Sequence, residues 1–306
     1  MKKVIVTGAN GFIGTWLLYE LSKHDVETYA IVRNESEDIS AIDKLPYVKI
    51  VYCDLNDIKN LDAAISEKGF DAFYHLAWAG SGGKLRADYK VQMDNTVFAC
   101  DAAKAAKRLE VKKFLCAGTI TEETVDGIFS LDGVSQNMIY GIAKKTTHSL
   151  LEVVCKNIDI DYVWMVFSNI YGPYNLSGNL LSYALREIVE NRVPAFSVGN
   201  QPYDFIYVKD LVRAAYLLGS SETKKRKYFL GSGSPKLLKD YLSELPRIIE
   251  NSKVDLGKRP EDGIIYKKEW FDTTDLTEDT GFKVEYSFKD GVLETMEWLQ
   301  KNTEVQ

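Results

Sequence analysis

Val4-Ile5-Val6-Thr7-Gly8-Ala9-Asn10-Gly11-Phe12-Ile13-Gly14 is the stretch that decides the fold. A short apolar run leads straight into a turn with glycines at every third position. Ile13 to Ser22 then carries Trp16, Leu17, Leu18 and Leu21 at helical spacing, and Glu27 to Val32 is a second apolar run. This is a strand-turn-helix-strand unit of about 30 residues. Glycine tolerates left-handed backbone and lets a ligand come close to the chain, and a helix N-terminus offers free N–H groups and a positive dipole end. Gly8-x-x-Gly11-x-x-Gly14, with Asn10, Phe12 and Ile13 in the turn, is therefore expected to cradle the pyrophosphate of a dinucleotide. A plain tight turn would have the glycines without a strand before them and a helix after.

The alternation continues outward. Val48 to Tyr52, Ala72 to Leu76, Lys113 to Ala117 and Asp161 to Phe167 read as strands, while Ile58 to Glu67, Tyr89 to Lys107 and Ile139 to Cys155 read as helices. Repeated β-α alternation predicts an α/β fold, a doubly wound parallel Rossmann sheet covered on both faces, over residues 1–170. Gly172-Pro173 breaks the rhythm. Beyond it, helices are expected at Leu180 to Glu190, Leu237 to Asn251 and Phe288 to Gln300, with short strands at Phe205 to Val208 and Lys227 to Leu230. Residues 171–306 are thus expected to be mainly a smaller α+β substrate lobe, packed as one body with the first because no linker separates them.

The chain has 306 residues, is 45% hydrophobic and 27% charged, and carries a net charge of -6. That balance argues against nucleic acid as a partner. Cys53, Cys100, Cys116 and Cys155 lack C-x-x-C spacing and sit in apolar stretches, as buried thiols in a reducing cytosol do. His24, His75 and His148 are scattered, so no metal is expected. Met1-Lys2-Lys3 runs directly into a strand, and no apolar run approaches ~18 residues. A cytoplasmic protein with no membrane contact is expected.

Two further features carry chemistry. Where the second strand ends, an acidic residue would bond the ribose hydroxyls of NAD, whereas an arginine meets the 2′-phosphate of NADP. Val32-Arg33-Asn34 favours NADP over NAD. Asp54-Leu55 follows the third strand, where Asp54 either accepts from the adenine amino group or caps the next helix. Tyr140-Gly141-Ile142-Ala143-Lys144 places a phenol and an ammonium on one helix face. A nearby ammonium favours phenolate, so such a tyrosine can exchange a proton with a substrate hydroxyl while hydride moves. The strand that ends at Thr119 brings a hydroxyl to the carboxyl edge of the sheet, where ligands bind. Thr119 and Thr121 could hydrogen-bond the reacting oxygen or simply cap backbone groups.

These motifs together resemble an extended short-chain dehydrogenase/reductase of the NAD-dependent epimerase/dehydratase type, over essentially the whole chain. They are Thr7-Gly8-x-x-Gly11-Phe12-Ile13-Gly14, Asp54-Leu55, His75-Leu76-Ala77-Trp78-Ala79, Asn95, the Thr119 segment and Tyr140-x-x-x-Lys144. Asn169-Ile170-Tyr171-Gly172-Pro173 and Asp204-Phe205-Ile206-Tyr207-Val208-Lys209-Asp210 complete the set. The resemblance implies a catalytic Thr119, Tyr140 and Lys144, supported by Asn95. It implies that Leu55, Leu76, Ala77 and Ala79 line the cofactor, with Phe167, Ser168, Asn169 and Ile170 near the nicotinamide. It further implies that Thr121, Asn169, Asn179, Leu180, Tyr207 and Arg259 meet a nucleotide-activated sugar. It implies a homodimer through the helices at Tyr89–Lys107 and Ile139–Cys155, where Ala99, Ala102, Ala103, Ala105 and Ala106 either allow close approach or pack on the sheet.

The chain departs from the family at three places. Tyr203 and Val166 stand where many members carry arginines that meet the diphosphate. Ile120-Thr121 stands where the 4,6-dehydratases carry Asp-Glu, with Glu122 and Glu123 one register on. Hydride transfer at a ring carbon is therefore expected, in an epimerase or a 4-keto-sugar reductase acting on a nucleoside diphosphate sugar. Reduction of an apolar carbonyl compound is the alternative, followed by 4,6-dehydration and by a non-catalytic NADP-binding regulator, which would usually lack the Tyr or the Lys.

Overall fold

The computed structural model describes residues 1–130, 135–261 and 266–303. β1 (Lys3–Thr7), α1 (Phe12–Lys23) and β2 (Glu27–Val32) form the opening unit. β3 (Val48–Tyr52), α2 (Leu61–Ala64), β4 (Ala72–His75), α3 (Tyr89–Arg108), β5 (Lys113–Thr119), α4 (Met138–Asn157) and β6 (Asp161–Phe167) continue it. The remainder comprises β7 (Asn169–Tyr171), α5 (Leu180–Val189), β8 (Pro202–Tyr203), β9 (Phe205–Tyr207) and α6 (Val208–Ser220). It ends with β10 (Lys227–Leu230), β11 (Lys236–Leu237), α7 (Leu238–Ile248), α8 (Thr274–Thr280) and α9 (Phe288–Thr303).

Seven strands make one parallel sheet in the order β10-β6-β5-β4-β1-β2-β3. From β1 the chain winds one way through β2 and β3, then returns to the other side with β4. A crevice opens at that reversal, above the carboxyl ends of the strands. The two faces are sorted by the period of two along each strand. Val4 and Val6 pack with Leu17, Leu18 and Leu21 of α1, whereas Ile5 packs with Phe73, Phe114 and the alanines of α3. Ala99, Ala102, Ala103, Ala105 and Ala106 are fully buried there, so they serve the sheet rather than a second subunit.

Three differences from the sequence expectation bear on the architecture. The helix expected over Ile58 to Glu67 is a 3-10 segment, Leu55–Asn60, plus the single turn of α2. α6 was not expected, and it packs on α1. β10 joins the large sheet beside β6, so α6 and β10 extend the first layer although they lie after residue 171. The smaller lobe is built from α5, α7, α9 and the paired β7 and β9 around Tyr171, Phe205, Tyr241 and Phe288. Among the described residues, no helix is long and apolar enough to cross a membrane.

Candidate active site

A cleft of about 1470 Å³ runs from the glycine turn to the smaller lobe. Gly8 has φ of +68°, and a Cβ on it would stand 2.9 Å from the Ala77 amide nitrogen. A Cβ on Gly14 would stand 2.0 Å from the Gly8 carbonyl oxygen, so α1 can start this close to β1 only with glycine there. Gly11 sits at the N-cap of α1 and supplies no side chain to its free N–H groups. An open helix end over a bare glycine turn fits the pyrophosphate of a dinucleotide. Gly8, Asn10, Gly11, Phe12, Ile13 and Gly14 all line the cleft.

The far wall of the turn is held by buried polar groups. The Ala77 N–H donates to Thr7 Oγ1 at 3.3 Å, and that hydroxyl lies 3.0 Å from His75 Nδ1. Thr7 Oγ1 thus links the Ala77 amide to the His75 imidazole. Burial, with Lys144 nearby, holds His75 neutral with a pKa of about 3. Asn95 does not line the cleft but ties its wall: Oδ1 accepts from the Ala79 N–H at 2.8 Å and Nδ2 donates to the Ala79 carbonyl at 2.9 Å. Leu76, Ala77 and Ala79 are thereby presented to the cleft.

At the β2 end, Arg33 lines the cleft with Glu37, whose carboxylate lies 3.4 Å from Arg33 Nε. Asn34 turns away, and its Oδ1 accepts from the Ser36 N–H and hydroxyl. Asp54 takes the capping role and also faces the cleft. It caps the 3-10 segment through the Asn56 N–H at 2.9 Å, and with Leu55 it lines the cleft.

Thr119, from the end of β5, and Tyr140, from α4, both line the cleft, and the Thr119 hydroxyl acts on the phenol to favour its ionised form. Thr119 Oγ1 also lies 3.3 Å from Thr121 Oγ1. Burial raises Tyr140, opposed by Arg86 and by the Thr119 bond. Lys144, one turn on, is buried behind the wall, where Nζ donates to the Ala117 carbonyl at 2.7 Å and lies 3.5 Å over the Trp78 ring. Burial brings its pKa down to about 8.

Arg86 was missed in the sequence, and Trp78 was read there only as part of a motif. The Arg86 guanidinium stacks on the Tyr140 ring at 3.8 Å, and Trp78 meets that ring edge-on at 6.1 Å. Gln92 anchors the Trp78 indole at 2.8 Å. The available signal was the glycine-rich Gly80-Ser81-Gly82-Gly83 ahead of a lone Arg.

Toward the smaller lobe, Phe167, Ser168, Asn169, Ile170, Asn179, Leu180 and Tyr203 line the cleft. Asn179 caps α5, accepting from Ser182 N–H at 3.0 Å, and donates to the Ile170 carbonyl at 2.8 Å. Two residues expected at the substrate are elsewhere. Tyr207 is 2% exposed, packed against Tyr171 and Tyr286, because β9 turns it into the core. Arg259 does not line the cleft, and its Nη2 donates to the Tyr183 hydroxyl at 2.7 Å. Glu122 and Glu123 also face away: Glu122 accepts from Trp164 Nε1 at 2.8 Å and Glu123 pairs with Lys227.

This sheet, turn and cleft are those of the extended short-chain dehydrogenases/reductases, a class of enzymes. The chain belongs to the NAD dependent epimerase/dehydratase family, whose model matches residues 4–231. It is 23% identical to a dTDP-glucose 4,6-dehydratase of Haemophilus influenzae, with 99% of each chain covered. The UDP-N-acetylglucosamine 4-epimerase of Methanobrevibacter ruminantium, in complex with UDP-N-acetylmuramic acid, superposes with a TM-score of 0.79 at 21% identity, covering 98% of this chain and 99% of that one. The UDP-glucuronic acid 4-epimerase of Bacillus cereus, in complex with UDP-glucuronic acid and NAD, gives 0.77 at 22% identity over 98% and 99%.

Proposed function

We propose that this chain transfers hydride at a ring carbon of a nucleoside diphosphate sugar, as a 4-keto-sugar reductase or an epimerase, with Tyr140 as the acid/base. One observation carries the reading: Tyr140 and Thr119 converge in the same cleft that begins at the glycine turn. A bound nicotinamide would supply or accept the hydride. Tyr140 delivers the proton from its hydroxyl to the substrate oxygen, and Thr119 orients that oxygen. Burial keeps the phenol protonated, which suits the reducing direction, while the Lys144 ammonium and the Arg86 guanidinium accommodate the phenolate left behind. Glu122 and Glu123 do not line the cleft, so neither is placed to serve dehydration.

Arg33 at the cleft rim favours NADP over NAD. Its contact with Glu37 is an exposed ion pair of about 0–1 kcal/mol, which a 2′-phosphate can replace with a charge-assisted pair. The exposed faces of α3 and α4 favour a homodimer.

Tyr140→Phe is expected to abolish turnover and leave cofactor binding in place; full activity in that variant would overturn the assignment. Fluorescence titration with NADPH and NADH, repeated with Arg33→Ala, reads the cofactor. A selective loss of NADPH affinity is expected, and NADH preference indifferent to Arg33 would reverse the reading. A thermal-shift screen of UDP-, CDP-, GDP- and dTDP-sugars with cofactor present tests the substrate class. Saturation at a hundred times Kd stabilises by about 2.7 kcal/mol. No response to any of them would favour the apolar-carbonyl reading, to which Val166 and Tyr203 lend support.

A further inference from the structure

Glu122 is a buried carboxylate to which hydride transfer, as derived above, assigns no task. It is 2% exposed and lies just behind the end of β5. Its Oε2 accepts from the Thr119 main-chain N–H at 3.2 Å, and its Oε1 accepts from Trp164 Nε1 at 2.8 Å. His148 Nδ1 lies 3.5 Å from the same Oε1, with its ring stacked on Trp164 at 4.9 Å and 4°. The indole reaches this place because position 118 is glycine: a Cβ there would stand 2.4 Å from Trp164 Nε1 and 3.1 Å from Glu122 Oε2. Amide and indole N–H groups only donate, so both oxygens of Glu122 serve as acceptors.

Ionisable groups face it from three elements. Lys144 and Tyr140 of α4 both feel Glu122, and Arg86 acts on the same two residues from the cleft side. His148 also faces it from α4, Cys116 from β5 and Tyr162 from β6. Lys144 Nζ has a carbonyl as its hydrogen-bond partner, Ala117, and lies 6.0 Å from the centre of the Trp164 ring that Glu122 holds. Two cations beside one phenol, one of them buried, need a buried negative charge to remain charged together.

We propose that Glu122 is a positioning residue of the hydride-transfer site, its carboxylate fastening Thr119 from behind and serving as counter-charge to the Lys144 ammonium. This rests on the reading of Thr119, Tyr140 and Lys144 as the catalytic group, but its test needs no turnover.

Protein labelled with 15N and 13C at lysine, with the Lys144 signal assigned from its loss in Lys144→Arg, reports the Lys144 titration directly. Glu122→Gln keeps the shape and removes the charge. The Lys144 midpoint is expected to fall by about one pH unit, the shift that loss of a nearby opposite charge produces, and Glu122→Asp is expected to restore most of it. An unchanged midpoint in folded Glu122→Gln overturns the proposal. Should that variant fail to fold, the wild-type acid titration decides. There the Thr119 amide and the Lys144 side chain are expected to move with one shared carboxylate midpoint, and separate midpoints overturn the proposal. Loss of turnover in Tyr140→Phe tests the catalytic reading independently, so either idea can fail while the other stands.

Discussion

His75 does not line the cleft but backs Thr7, which does. Its ring is hydrogen-bonded to Thr7, which accepts from the Ala77 N–H at the cleft wall. Burial holds its folded pKa at about 3, against ~6.5 in the unfolded chain. Between those values only the unfolded chain takes up the proton, so stability is complete above ~6.5 and drains as the pH falls toward 3. One and a half units below ~6.5, at pH 5, the cost from this residue is about 2 kcal/mol. Urea denaturation of wild type and His75→Gln at pH 7 and pH 5 checks it. The variant is expected to lose less stability on acidification, and parallel losses would show that other groups carry the acid sensitivity.

At the scale of elements, α5 meets the cleft at its N-terminal end, through Asn179 and Leu180. Asn179 caps the helix by accepting from Ser182 and grips β7 by donating to Ile170. Asn179→Ala is expected to destabilise by about 1 kcal/mol through the cap, with a further loss from the unmet Ile170 carbonyl. Asn179→Asp keeps the cap acceptor and is expected to recover the first part only. Equal stability of all three proteins in urea would show that the cap bears no weight.

The same elements show what could be read from the chain. β1 through β6 were legible because buried parallel strands are short apolar runs and the helices between them carry apolar residues at helical spacing. The turn at Gly8 and the spacing of Tyr140 and Lys144 marked the cleft for the same local reason. α6 escaped because Asp210, 0% exposed, sits on its buried face and interrupts the apolar stripe, its charge met by Arg213 and by the N–H groups of Glu285 and Tyr286. Tyr207 and Arg259 were placed by motif alone, and a motif does not say which way a two- or three-residue strand turns its side chains. Arg86 and Glu122 act through contacts that close only when the sheet brings β5, α4 and the Gly80 loop together, which no local pattern records.

On the scale of the whole molecule, the sheet uses up the alanine face of α3 and leaves the opposite face uncovered. Tyr89, Met93 and Val97 follow one another at every fourth residue and are 63%, 44% and 56% exposed. On the adjoining α4, Leu150 and Val153 are 44% and 58% exposed. Scattered apolar residues on a surface need no explanation, but stripes on two helices packed side by side form a patch that water penalises. A second copy can cover it by a two-fold operation, because each α3–α4 pair then meets its own equivalent. Light scattering on a sizing column is expected to give twice the chain mass of 34.6 kDa. Val97→Glu combined with Val153→Glu would bury like charges against each other and is expected to give monomers with unchanged secondary structure. A wild-type monomer at micromolar concentration, or a double variant that remains dimeric, would remove α3 and α4 as the contact.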